Sequence, residues 1–74
     1  MVCIVRFQGK VRVFSHSEEL KRELSDLPYP WVAKCVGDDE ETVKMRSMLL
    51  DAVGGEVVFY RDGSFGPYEP DMIE

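Results

Sequence analysis

Cys3 and Cys35 are the two cysteines of the sequence, and each lies in a short apolar run typical of a β-strand. A single disulfide between them is one interpretation. Two buried free thiols in a reducing compartment are the interpretation that the sequence favours. There is no Cys-x-x-Cys pair, and His16 is the one histidine. The spacing therefore predicts neither a zinc site nor dithiol redox chemistry.

The remaining polar groups that could do chemistry are better explained as structural. His16 stands beside serines but has no oxyanion donor or pocket near it in the sequence, which argues against nucleophilic catalysis. The acidic run 38–41 lacks the spacers and the glycine turn of a calcium loop and is typical of a helix N-terminus. The glycines at 54–55 and 63–66 lack phosphate-loop spacing. The sequence thus predicts no catalytic residue, no metal and no cofactor.

Length and charge limit the classes of function further. Seventy-four residues allow one domain, and 45% hydrophobic with 31% charged residues is typical of a soluble globular protein. No segment resembles a membrane span or a secretory leader, which predicts a cytoplasmic protein. The net charge is −5, which disfavours nucleic acid. Residues 1–37 hold six basic and four acidic side chains, whereas residues 38–74 hold three and ten. This asymmetry suits a polar protein partner or self-association.

The first two β-rich runs, 2–7 and 10–14, predict a hairpin. A two-residue loop would pair Arg6 with Val11 and mix charge with core. A three-residue loop over 7–9 instead pairs Val5 with Val11 and sorts the two faces, so we predict that loop. The core face would then contain Cys3, Val5, Val11 and Val13. The opposite face would carry a basic patch, which we define as Arg6, Lys10 and Arg12.

Two helices follow from hydrophobic spacing and end signals. The stretch 15–27 has a leucine stripe, a Ser15–Glu18 capping box and a stop at Pro28. The second helix covers 40–53, with Asp38 or Asp39 as its cap and Gly54 at its end.

Two later strands, 31–36 and 57–60, are apolar on both faces, which predicts interior positions in the sheet. Asp62–Gly63 predicts a two-residue hairpin loop that places Arg61 opposite Ser64, and Pro67 should end the return strand. The order β-β-α-β-α-β predicts an α+β or small α/β domain. Its mixed four-stranded sheet would carry both helices on one face and a short C-terminal hairpin. Residues 1–66 would form a single compact domain, and residues 67–74 a poorly ordered acidic tail with prolines.

Aromatic side chains supply the main functional signal, because a core this small cannot easily cover all of them. Tyrosine and tryptophan near proline-rich loops are typical of protein-binding surfaces, although core packing is the rival explanation. The predicted protein-binding residues are Tyr29, Trp31, Tyr60, Phe65 and Tyr68.

These observations predict a small non-enzymatic protein-binding module. It would act as a regulator, adaptor or inhibitor that docks onto another protein or onto a second copy of itself as a homodimer. The alternatives are a nucleic-acid accessory protein that uses the basic patch and a small enzyme whose site is shared across a homo-oligomer. Compact acidic chains of this kind are common in phages and mobile elements, which suggests such an origin.

Overall fold

The computed structural model describes residues 1–67 and packs two helices against a five-stranded sheet. Its strands are β1 (Cys3–Phe7), β2 (Lys10–Phe14), β3 (Val32–Cys35), β4 (Val57–Phe59) and β5 (Phe65–Pro67). Its helices are α1 (Ser17–Glu23), which continues into a single 3-10 turn (Leu24–Asp26), and α2 (Glu40–Val53). Neither helix is long and apolar enough to cross a membrane within the described part of the chain.

The strand order is β2-β1-β3-β5-β4, and every neighbouring pair is antiparallel. The α+β class is therefore confirmed, whereas the mixed four-stranded sheet is wrong. β1 lies between the two strands that α1 connects, and β5 lies between the two that α2 connects. Each helix crossover thus joins parallel strands that are not neighbours, which leaves the sheet purely antiparallel.

The first hairpin corrects the predicted register. Arg6 pairs with Val11 and Val5 with Arg12, across a two-residue loop rather than a three-residue one. Gln8 and Gly9 have φ angles of 48° and 74°, the left-handed conformation that a type I′ turn requires. A slip of one residue turns every side chain of a strand to the other face. Val11 and Val13 therefore lie 57% and 46% exposed instead of in the core.

The second hairpin has the three-residue loop, where two residues were predicted. Phe59 pairs with Phe65, and the Tyr60 N–H donates to the Ser64 carbonyl at 2.8 Å. Gly63 takes a left-handed φ of 90° at the last loop position. The return strand β5 occupies the interior of the sheet, so the predicted interior position of β4 is also wrong, and β4 is an edge strand. Pro67, assigned to the tail by the sequence, is the last residue of β5.

The helix termini match the sequence in α2 but not in α1. The Asp39 side chain accepts a hydrogen bond from the Thr42 N–H at 3.2 Å, and Gly54 closes α2 with a φ of 65°. α1 begins at Ser17, so the Ser15–Glu18 capping box is wrong. The Ser17 N–H instead donates to the side chain of Glu41, because α2 brings this carboxylate against the first turn of α1.

A single buried cluster joins both helices to one face of the sheet. Its members are Cys3, Val5, Phe14, Leu20, Trp31, Ala33, Cys35, Met45, Leu49 and Phe65. Cys3 and Cys35 are directly opposite each other in the antiparallel β1–β3 pair, with Cα atoms 4.0 Å apart, and they form a disulfide. The expectation of two free thiols is wrong, because the register of these neighbouring strands brings the two sulfur atoms within bonding distance.

Candidate functional site

The two faces of the sheet are covered unequally. The side chains of β1 and β3 alternate, so Cys3, Val5 and Ala33 pack under the helices while their neighbours point the other way. No helix of residues 1–67 covers that second surface. We call it the open face, and it consists of Ile4, Arg6, Val11, Val13, Val32, Lys34 and Val58.

Charged and aliphatic side chains alternate at the centre of the open face. Ile4 lies opposite Lys34, and Arg6 lies opposite Val32. A shallow cavity of about 190 Å³ is formed by these four residues together with the β4–β5 loop. A second, wider depression of about 550 Å³ shares Arg6 and Val32 and extends to the tip of the first hairpin. Cationic heads and aliphatic side chains thus lie side by side in these two adjoining depressions, which together we call the groove.

Asp62 is the acidic side chain that borders this groove within the described residues. Its carboxylate accepts hydrogen bonds from both the backbone N–H and the hydroxyl of Ser64. The hydroxyl bond is the main cause that lowers the pKa of Asp62, and the charges of Lys34 and Arg6 lower it further. The two cations of the groove therefore already stabilise one carboxylate of this chain.

The predicted aromatic residues are not brought together. Trp31 and Phe65 are 5% and 2% exposed and belong to the core, so their side chains cannot reach a partner in this fold. Tyr29 is 61% exposed but lies off the open face, beside Val53 at the end of α2. Tyr60 is half-buried, and its hydroxyl has no hydrogen-bond partner among residues 1–67. Tyr68 lies outside the described residues.

The predicted basic patch is divided between the two faces of the sheet. Arg6 belongs to the open face, whereas Lys10 and Arg12 alternate onto the side of the helices. There the Arg12 guanidinium pairs with Glu23 at 2.6 Å and lies 5.4 Å from the ring centre of Phe14. The three cations therefore do not form one surface, although the Lys10 side chain still borders the groove at the hairpin tip.

Two carboxylates of the acidic run 38–41, those of Asp39 and Glu41, have structural roles. A hydrogen bond from the Thr42 hydroxyl is the main cause that lowers the pKa of Asp39. Contact with Ser17 does the same for the pKa of Glu41. Both carboxylates cap helices, as the acidic run 38–41 suggests. His16 is exposed and occupies the N-cap position of α1 without a side-chain capping bond. In residues 1–67 no group of three or more His, Cys, Asp or Glu side chains is placed to hold a metal ion.

Comparison with known proteins gives no relative: no protein-family model, no curated protein and no solved structure matches the chain. Function must therefore be inferred from the surface itself.

Of the open face, the sequence singled out Arg6 alone. It assigned Val11 and Val13 to the core, and it named none of Ile4, Val32, Lys34 and Val58 as a site residue. The alternation in the run Val32–Cys35 contains a usable signal, since a buried Cys35 requires Lys34 on the opposite face. Ile4 follows in the same way from Cys3 and Val5. The error lay in treating β3 as apolar on both faces.

Proposed function

We propose that the protein is a small non-enzymatic protein-binding module that docks onto another protein through the open face of its sheet. It would act as a regulator, adaptor or inhibitor. The observation that carries this proposal is the half-exposed pair Val11 and Val13 on a sheet face that no described helix covers. Apolar surface of this kind on a small domain is typical of interaction sites.

The division of the basic patch weakens the nucleic-acid alternative, which needed three cations on one surface. The shared-site enzyme has no observation in its favour, so we propose neither. We infer that the partner is a different protein rather than a second copy, because two cationic open faces would repel each other.

The cytoplasmic location expected from the sequence stays a proposal, and the Cys3–Cys35 disulfide of the structure counts against it. Structural disulfides persist in oxidising compartments and are rare in the cytosol. Alkylation of Cys3 and Cys35 in freshly lysed source cells, followed by mass spectrometry, measures their state. Fully alkylated thiols would support the cytoplasm, and an intact bond would argue for an oxidising compartment.

The docking proposal is tested by Val11→Thr/Val13→Thr, which keeps two β-branched side chains and adds two hydroxyl groups to the open face. Burying those hydroxyls against a partner costs free energy unless each is hydrogen-bonded. We expect proteins captured from source cells by the native chain to be lost from the variant in quantitative mass spectrometry.

Val43→Thr is the matched control, because Val43 is 48% exposed on α2, which packs on the covered face. Circular dichroism verifies that each variant is folded. Capture that is unchanged by the open-face pair, or lost equally with the α2 control, would contradict docking through this surface.

A further inference from the structure

The open face is cationic in a protein whose net charge is −5. Arg6, Lys34 and Lys10 border its groove, and Asp62 is the acid that meets them within residues 1–67. Asp62, whose carboxylate accepts bonds from the Ser64 N–H and hydroxyl, carries one negative charge against three cations, so it offsets them only in part. The groove therefore keeps an excess of positive charge.

The acidic side chains are concentrated on the other side of the molecule. The first turns of both helices are acidic, with Glu18 and Glu19 in α1 and Glu40 and Glu41 in α2. Both helices pack on the covered face. Each helix also carries two basic residues, so the helical surface has mixed charge with a small acidic excess. A negatively charged partner is thus attracted more strongly at the open face than at the helices, which favours that direction of approach.

The spacing of charge and apolar surface also limits the partner's composition. Arg6 and Lys34 are diagonal to each other in the β1–β3 pair, with Ile4 and Val32 at the other two corners. Side chains at such diagonal positions are roughly 7–8 Å apart. Val32 is buried at 8% exposure, so the accessible corners are the two cations and the half-buried Ile4. A partner that satisfies these three must present carboxylates and an aliphatic side chain within the same short stretch.

Nucleic acid meets these requirements poorly. Proteins that bind single strands combine basic grooves with aromatic rings on which bases stack. The exposed aromatic side chains of residues 1–67 are Tyr29 and Phe59, and both lie off the open face. Phe7 borders the wider depression, but it is half-buried and is a single ring rather than a series on which successive bases could stack. The exposed apolar side chains of the face itself are valines, which contact aliphatic groups and offer no surface for stacking.

We propose that the open face binds an acidic polypeptide segment that carries aliphatic side chains, an inference that rests on the proposed protein-binding function. Arg6 and Lys34 supply the charge selectivity, and the valines supply apolar contact area. Because part of the attraction is electrostatic, binding should weaken as the salt concentration rises.

The test is selection of a random peptide library, displayed on phage, against the immobilised full chain in about 150 mM NaCl. We expect the selected peptides to be enriched in Asp and Glu over Lys and Arg and to contain Val, Leu or Ile. A synthetic consensus peptide should then bind Arg6→Gln/Lys34→Gln about tenfold more weakly than the native chain in fluorescence polarisation, as expected for the loss of two exposed ion pairs.

Lys21→Gln/Lys44→Gln is the matched control, because it removes the same charge from exposed positions on the two helices. It should leave the Kd unchanged. An equal loss in both variants would overturn the role of the groove, since it would show only an effect of net charge.

The other outcomes separate this inference from the function on which it rests. The selected peptides could lack acidic enrichment, and their binding could be lost in Val11→Thr/Val13→Thr but kept in Arg6→Gln/Lys34→Gln. That result would overturn the acidic partner and leave protein binding in place. Binding that neither variant affects overturns both. The library could instead yield no peptide, while oligothymidine binds with the same dependence on Arg6 and Lys34. That result would overturn the polypeptide assignment in favour of nucleic acid.

Discussion

Reduction of the disulfide tests how much of this small fold depends on one covalent bond. Cys3 and Cys35 are 32 positions apart in sequence, so their bond closes a large loop in the unfolded chain. The chain-entropy relation gives about 3.7 kcal/mol of stabilisation at 25 °C for a loop of that length. A domain of this length has a total free energy of unfolding of roughly 4–11 kcal/mol. Reduction therefore removes between a third and nearly all of it.

Urea denaturation with and without a phosphine reductant measures this difference. Trp31 is buried and is the single tryptophan of the sequence, so its fluorescence reports on the core. With a urea m-value of about 1 kcal/mol/M, the midpoint should fall by roughly 3–4 M on reduction. Thermal melting followed by circular dichroism should show a Tm lower by roughly 15–30 °C.

Cys3→Ala/Cys35→Ala is the control for the reductant, because its stability should be low and the same in both buffers. A loss below about 1 kcal/mol on full reduction of the native chain would refute the reasoning. Such a result would have one of two meanings. Either the core around the β1–β3 pair stabilises the folded sheet without the bond, or the reduced unfolded chain is already compact.

Two further predictions concern backbone contact and pH. Gly66→Ala should destabilise the protein by about 1–3 kcal/mol in urea denaturation, since a Cβ there would collide with the backbone carbonyl oxygen of Trp31, the residue before β3. Gly55→Ala, whose Cβ meets nothing within 4 Å, should stay within about 0.5 kcal/mol of the native chain. The pKa of Glu41 is lowered in the folded state by its hydrogen bonds with Ser17, so its contribution to stability is present above the unfolded pKa and is lost as pH falls through the folded pKa. The urea midpoint should therefore drop less between a pH of about 7 and about 4 in Glu41→Gln than in Glu40→Gln. Glu40→Gln is the control, because it removes the same charge from the same turn. Equal drops in the two variants would contradict the capping role of Glu41.

Local signals predicted the helices well because their information is contained in neighbouring residues. Asp39 and Gly54 mark the ends of α2 by side-chain capping and left-handed geometry, and both can be read directly from the sequence. The α1 terminus could not be predicted in this way. Its first N–H is bonded by Glu41, a residue of the other helix, so the cap exists only after the helices have packed.

The hairpins failed for a different reason. Both loops were predicted with the wrong length: the three-residue loop was placed at Gln8–Gly9 and the two-residue loop at Asp62–Gly63, whereas the structure has the reverse. Glycine fits a left-handed position in either loop type. The choice at the first hairpin rested on sorting faces, which assumed that valines belong in the core. The open face breaks that assumption, so the residues that define the candidate site also misled the register.

Ala33 of β3 and Phe65 of β5 are paired neighbours in the sheet but distant along the chain. On a ribosome, β1 and β2 are complete before β3 emerges, and β3 can pair with β1 at once. Its other edge must wait until the whole of α2, β4 and the following loop has been synthesised. During that interval the backbone groups along that edge of β3 have no strand partner, and such an edge is a template for pairing with other chains. The order of synthesis thus gives the nascent protein a period of vulnerability that the finished sheet no longer has.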